Sequence, residues 1–138
     1  MPAFADEDEL YRYIGGIFET ALADPELEPK LRATGLVLRQ QCTDPDAALI
    51  IDLPGGRVWK GSDPGAPEPT ATMTMATETA NAYRQGKGNL TFAMAKKKVT
   101  VDGTVTRLLQ LAPLSKRLFP VYVERLRSDG RDDLLIEE

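Results

Sequence analysis

The chain has 138 residues and a net charge of −4, with one cysteine and no histidine. This length fits one domain. The missing histidine excludes Ser-His-Asp and Cys-His catalysis and His-based metal sites within the chain, and one cysteine excludes an internal disulfide. No apolar run is long enough to span a bilayer, and the acidic N-terminal residues do not resemble a secretory signal. We therefore expect a cytoplasmic protein.

Two helices are predicted at the N-terminal end. Residues 6–24 carry apolar side chains at helical spacing, and Asp6 is the candidate N-cap. Gly15-Gly16 lies inside this helix, where missing side chains weaken it or let another element approach closely. Prolines limit residues 25–34 to a short second helix.

Five strands are predicted after these helices. Three short apolar runs, 35–43, 47–53 and 56–61, are separated by turn residues, which indicates an antiparallel meander. A proline-rich loop then leads to residues 71–75, which alternate with period two. Residues 98–103 alternate again and predict the fifth strand.

Helices are predicted on both sides of the fifth strand. Residues 76–85 form one, with Thr77 as its N-cap and Gly86 as its stop, and residues 89–96 form a short one. After the fifth strand the pattern is helical and is predicted to break at both Pro113 and Pro120.

This order of elements predicts an α+β domain with one main sheet. The domain covers residues 1–128, and residues 129–138 form a C-terminal tail with a small apolar patch that either packs or stays loose.

Charge is distributed unevenly along the chain. Residues 84–127 hold ten basic and two acidic side chains, a net charge of +8, and the rest holds seven and nineteen, a net charge of −12. Either a basic face meets an anionic partner or the two parts neutralise each other in the fold. The acidic isoelectric point of about 5.0, and the lack of aromatics among Lys96–Lys98, argue against a nucleic-acid partner.

No motif indicates catalysis. Gly86-Lys87-Gly88 lacks the spacing of a phosphate loop. The paired carboxylates lie in caps, turns and the tail, without apolar surroundings that would raise a pKa. We therefore expect neither an enzyme nor a bound metal or cofactor. Methionine, leucine and phenylalanine side chains around residues 73–119 form either an ordinary core or an apolar lining.

Residues 70–111 resemble the signature region of the sterol carrier protein 2 (sterol-binding domain) family. A polar-alternating strand leads into a helix that ends in Gly86-Lys87. Asn89, a short Ala/Met-rich helix, a lysine-bearing strand closed by Gly103 and a Leu-rich helix follow.

The resemblance extends over most of the chain, from Leu10 to Leu126, with two departures. Lys97 stands where the family often has glycine, and Thr104 stands where it often has aspartate. Thr104 still suits a helix N-cap, whereas Lys97 puts the geometry of the helix-to-strand turn in question.

The resemblance implies a five-stranded, mostly antiparallel sheet covered by helices, with an apolar tunnel between sheet and helices. Family members bind sterols, fatty acids, fatty acyl-CoA or phospholipids without a covalent cofactor. The C-terminal Ile-Glu-Glu lacks the peroxisomal tripeptide of eukaryotic members, which indicates a single-domain, bacterial-type member. The expected function is non-catalytic lipid binding or transport. The alternative is an accessory subunit of a lipid-metabolising enzyme with a vestigial pocket.

Candidate ligand-binding residues follow from this hypothesis. The apolar tunnel would be lined by Met75, Leu90, Phe92, Met94, Leu108, Leu111, Leu118 and Phe119. From the charge asymmetry, an anionic head group would meet Lys96, Lys97 or Arg107. The expected partner is a lipid or acyl-CoA, and a lipid-metabolising enzyme, an anionic membrane surface or a second copy of the chain are left open.

Overall fold

A five-stranded sheet organises the fold in a computed structural model, which describes residues 3–87 and 90–136 and only the backbone of residues 90 and 91. The strand order is β3-β2-β1-β4-β5. β1 pairs parallel with β4, and the other three pairs are antiparallel. The predicted mostly antiparallel sheet is therefore confirmed. The strands are β1 (Val37–Thr43), β2 (Ala47–Asp52), β3 (Arg57–Lys60), β4 (Ala71–Ala76) and β5 (Thr100–Gly103).

Six helices accompany the sheet in the described part of the chain. α1 consists of three consecutive segments, Glu7–Leu10, a π-helical turn Tyr11–Gly15, and Gly16–Leu22. The others are α2 (Leu27–Ala33), α3 (Thr77–Arg84), α4 (Leu90–Ala95), α5 (Val105–Lys116) and α6 (Phe119–Ser128), followed by a 3₁₀ turn (Asp132–Leu134). Helices and one sheet together form the predicted α+β architecture.

The core lies between the helices and one face of the sheet. Leu38 and Cys42 on β1, and Met73 and Met75 on β4, alternate with more exposed neighbours and join the buried cluster. Burial also raises the pKa of the Cys42 thiol to about 11, so this side chain is a neutral part of the core. The period-two pattern therefore directs one side of each strand toward the helices.

The paired glycines of α1 face different neighbours, with Gly15 beside Val58 of β3 and Gly16 beside Arg125 of α6. A Cβ at Gly16 would lie 2.6 Å from the Arg125 guanidinium of α6. Arg125 donates a hydrogen bond to the Arg12 carbonyl at 3.4 Å. The capping prediction also holds, because the Asp6 carboxylate accepts from the Glu9 N–H at 3.0 Å.

Thr77 is not the N-cap of α3, contrary to the sequence prediction. Ala76 occupies that position and Thr77 is the first helical residue. The Thr77 hydroxyl donates to the Asp44 carbonyl and accepts from the Ala3 N–H. Through these two hydrogen bonds, Thr77 connects the β1–β2 turn to the N-terminal segment instead of capping the helix.

The predicted helix break at Pro113 is also wrong. α5 continues through Pro113, and the chain turns at Arg117 and Leu118, so that Pro120 lies in the first turn of α6. Pro113 removes the hydrogen bond to the Leu109 carbonyl, but both residues are exposed and water can satisfy that oxygen.

The segment after α6 packs against α3 through a buried polar network. The Asn81 amide accepts from the Tyr122 hydroxyl at 2.6 Å and donates to the Leu134 carbonyl at 2.9 Å. Gln85 donates to both Asn81 and Leu134 and accepts from the Ile136 N–H. Residues 131–136 are therefore held to α3 by hydrogen bonds and by the buried Leu134 side chain.

Candidate ligand-binding groove

An open groove of about 550 Å³ lies between α3 and the segment that runs from α4 to β5. Its volume is within the range of small-molecule sites. Its lining is mainly apolar, with polar side chains at intervals. The residues are Ala76, Glu78, Thr79, Ala82, Tyr83, Lys87, Phe92, Ala93, Lys98 and Val99.

The two faces of α3 explain one wall of the groove. Ala80 and Arg84 are buried in the domain. The face that carries Ala76, Thr79 and Ala82 instead lines the groove, and these short side chains leave space beside the helix. The helix thus packs with one face and opens a cleft with another.

Gly86 turns the chain from α3 toward α4. Its φ is +78°, its N–H donates to the Tyr83 carbonyl, and the Lys87 N–H donates to the Ala82 carbonyl. These two bonds form a Schellman motif, for which glycine is the favoured residue. The predicted helix stop at Gly86 is confirmed.

The same motif ends α4, but with Lys97 in the left-handed position. The Lys97 N–H donates to the Met94 carbonyl, the Lys98 N–H donates to the Ala93 carbonyl, and Lys97 has a φ of +61°. A non-glycine residue pays a steric cost there. Glycine would adopt this conformation without that cost, so Lys97 is a locally strained residue of the helix-to-strand turn.

Replacing Lys97 by glycine is expected to raise the free energy of unfolding by about 0.5–1 kcal/mol, because relief of left-handed strain exceeds the added freedom of the unfolded chain. Chemical denaturation would measure this change. Lys96, one residue earlier, has no positive φ. Lys96→Gly should therefore destabilise, and equal effects of the two substitutions would contradict the assignment.

The predicted lining residues occupy several environments. Phe92 lines the groove and is 62% exposed. Met94 and Phe119 are half-buried, and the Leu90 side chain lies outside the described residues. The remaining four are buried in the core and do not border the groove: Met75, Leu108, Leu111 and Leu118.

The three predicted head-group cations also lie in different places. Lys96 and Lys97 are exposed at the end of α4, and the Lys96 ammonium lies 5.3 Å from the centre of the Phe92 ring. Arg107 donates to the Gly35 carbonyl at 2.9 Å and does not line the groove. Lys98, which was not among the three head-group candidates, does line it.

Sequence reasoning missed most of the groove because it searched for large apolar side chains. Small residues at 76, 79 and 82, spaced three apart, were the available signal of a helix face that leaves room. Tyr83, which also lines the groove, was not among the predicted residues either, although its partner Phe119 was. Tyr83 packs edge-on against Phe119, with ring centres 5.9 Å apart.

A buried arginine lies behind Tyr83. Arg84 is 1% exposed, and its guanidinium donates to the Gln40 side-chain oxygen at 2.7 Å. It also lies 5.0 Å from the ring centres of Phe18 and Tyr83. Burial lowers the pKa of Arg84, because desolvation penalises its charged form.

Arg84 and Tyr83 both border a small void of about 10 Å³ between the sheet and α5. The other residues around it include Leu38, Met73, Leu108 and Leu111. Tyr83 therefore stands between the open groove and the interior.

Residues 3–87 and 90–136 contain no cluster of three or more acidic or cysteine side chains that could hold a metal ion. No helix in those ranges has the length and apolar character needed to cross a membrane.

Comparisons with known proteins give one family and one fold. Residues 17–116, more than half of the chain, match the SCP-2 sterol transfer family. No curated protein matches the sequence significantly.

Three solved structures share the fold. The sterol carrier protein domain 2 of Helicoverpa armigera is 18% identical, with a TM-score of 0.67, covering 87% of this chain and 95% of its own. Sterol carrier protein 2 from Aedes aegypti, in complex with palmitate, is 25% identical, with a TM-score of 0.57 and coverages of 79% and 93%. The apo form from Yarrowia lipolytica is 16% identical, with a TM-score of 0.61 and coverages of 70% and 89%.

Proposed function

The chain belongs to the SCP-2 sterol transfer family, and from that premise we propose that it binds and carries lipids without catalysis, holding an apolar tail in the groove between α3 and α4. The groove itself carries the proposal, because it joins an apolar lining to an exposed aromatic side chain, Phe92. The palmitate complex of the 25% identical Aedes aegypti protein supports a fatty acyl tail as the ligand.

Burial of the tail supplies the affinity. A sixteen-carbon chain transferred from water gains on the order of 13 kcal/mol, at about 0.8 kcal/mol per methylene group. Association and ordering cost roughly 4–15 kcal/mol. Micromolar binding, about −8 kcal/mol, lies within this range. Affinity driven by buried area discriminates weakly among tails of similar length.

Some of the predicted lining residues lie at the groove surface, and others lie in the interior of the protein. Phe92 contacts a tail at the groove surface, and Leu90, Met94 and Phe119 belong to the elements around the groove. Leu108 and Leu111 border the void behind Tyr83 and would become accessible if that void opened, whereas Met75 and Leu118 are buried and do not border it. This opening would convert the groove into the family's tunnel.

An anionic head group outside the groove would meet Lys96 and Lys97. Arg107 is a weaker candidate, because it would first lose its bond to Gly35. The affinity for palmitoyl-CoA is expected to fall several-fold from low to high salt, since exposed charges are screened. Lys96→Gln/Lys97→Gln should remove most of that salt dependence. Lys30→Gln, at an exposed position of α2, is the control for loss of a surface lysine. Salt-independent affinity of the unmodified chain would contradict head-group pairing.

The accessory-subunit hypothesis is the second candidate, and one experiment separates it from lipid carriage. Native mass spectrometry and lipid extraction of the purified chain should recover a bound lipid if the protein is a carrier. An empty chain held tightly by a lipid-metabolising enzyme would support the accessory role. Turnover of an acyl-CoA or ester by the isolated chain would contradict the proposed non-catalytic function.

A further inference from the structure

We propose that Arg84 and Gln40 form an internal receptor for the carboxylate of a free fatty acid whose tail extends past Tyr83 into the groove. This inference rests on the proposed lipid binding and specifies its ligand class. It places the acid group inside the protein, in contrast to the bulky head group of an acyl-CoA, which would stay at the rim.

The first argument is an uncompensated buried charge. Arg84 is 1% exposed, and no carboxylate of the described residues pairs with it or acts on its pKa. The groups that favour its charged form are Tyr83, Tyr122 and Cys42. A buried guanidinium without a counter-ion is costly, and an anionic ligand would remove that cost.

The second argument is a pair of unsatisfied donors. The Arg84 Nε–H and the Gln40 side-chain amide nitrogen are buried and donate to no oxygen or nitrogen, and the Gln40 amide meets only the Cys42 thiol, a weak acceptor. Gln40 turns its oxygen toward Arg84. The rings of Phe18 and Tyr83 stabilise the charge but accept neither of these N–H groups in a conventional hydrogen bond. A carboxylate has two oxygens and accepts from both kinds of donor.

The third argument is position. Arg84 borders the void between the sheet and α5, and Tyr83 borders both that void and the groove. A void of about 10 Å³ is large enough for about one water molecule, which would not neutralise Arg84, and it is too small for a carboxylate. A carboxylate therefore requires rotation of Tyr83, a half-buried side chain at the edge of the groove.

The chemistry favours a fatty acid over other lipids. A sterol or alcohol offers a neutral hydroxyl, which accepts hydrogen bonds but does not neutralise Arg84. A phospholipid or coenzyme A head group is too large for this space. The receptor should therefore select a small anion at the end of an apolar chain.

The test compares two ligands of equal tail length, palmitate and hexadecanol, by direct binding to the full chain. The unmodified protein should prefer palmitate by about tenfold or more, since hydrogen bonds between two charged groups are stronger than those to a neutral hydroxyl. Arg84→Met should abolish the preference. Gln40→Glu, which places a carboxylate beside Arg84, should abolish it as well and raise the melting temperature of the ligand-free protein. Arg39→Met, on the opposite face of β1, is the matched control and should retain it.

The outcomes separate the two proposals. If the unmodified chain binds neither ligand, the proposed lipid binding fails. If it binds both equally, or if either Arg84→Met or Gln40→Glu keeps the palmitate preference, lipid binding stands and the internal receptor is wrong. If Arg84→Met does not fold, Gln40→Glu decides. The palmitate preference should also persist at high salt, because Arg84 is buried, and its loss there would place the acid at the exposed rim instead.

Discussion

Replacing Asn81 by leucine is expected to lower the free energy of unfolding by about 2–4 kcal/mol, because it strands buried polar groups. The Tyr122 hydroxyl, which is fully buried, loses its acceptor. The Leu134 carbonyl keeps a bond from Gln85 but loses the one from Asn81. Urea denaturation of the full chain would measure the change.

A double-mutant cycle tests the physical reason. Tyr122→Phe removes the hydroxyl and should cost only about 1 kcal/mol, since the Asn81 oxygen keeps its bond from Gln85. Combined with Asn81→Leu, it removes the stranded donor, so the double variant should be less destabilised than the sum of the single variants by about 1 kcal/mol. Additive effects would contradict an energetically coupled network.

The second large effect concerns the groove. Ala82→Trp should lower the affinity for palmitate by roughly tenfold or more, because an indole ring there displaces two or more methylene groups at about 0.8 kcal/mol each. Ala82 is half-buried on the groove face of α3, and its small methyl group leaves the groove open at this point. Fluorescence displacement of a bound fatty-acid probe would measure the affinity.

Ala33→Trp is the control for this substitution. Ala33 is an exposed helical alanine on α2, away from the groove. Both tryptophan variants should keep the fold, which circular dichroism checks. Undiminished palmitate binding by Ala82→Trp would place the ligand elsewhere and remove the groove from the proposed function.

Local sequence patterns predicted those helices and strands well whose form depends on residues close together in the chain. The alternation of β1 and β4, the cap at Asp6 and the stop at Gly86 follow from period, donor chemistry and left-handed geometry. The prediction for Thr77 was wrong because its hydroxyl bonds to the Asp44 carbonyl, a partner distant in sequence. The prediction for Pro113 was wrong because the helix tolerates a proline on its exposed side.

The candidate site was less predictable. Phe92 was anticipated as a ligand contact and does line the groove. The small side chains opposite it carry no distinctive chemistry, and four of the predicted lining residues are buried and do not border the groove. Apolar character alone does not distinguish a side chain that faces another side chain from one that faces an empty cleft.

The family, the order of helices and strands and the lack of histidine side chains can be read from the chain alone, since they depend on residue types and their spacing. Packing was needed to show which face of α3 is open, and that Arg84 is buried beside Gln40, 44 positions away in the chain. In the sequence Arg84 is one basic residue among ten between positions 84 and 127. Its environment is created by elements distant in sequence, so burial and the lack of a counter-ion become visible only when those elements pack together.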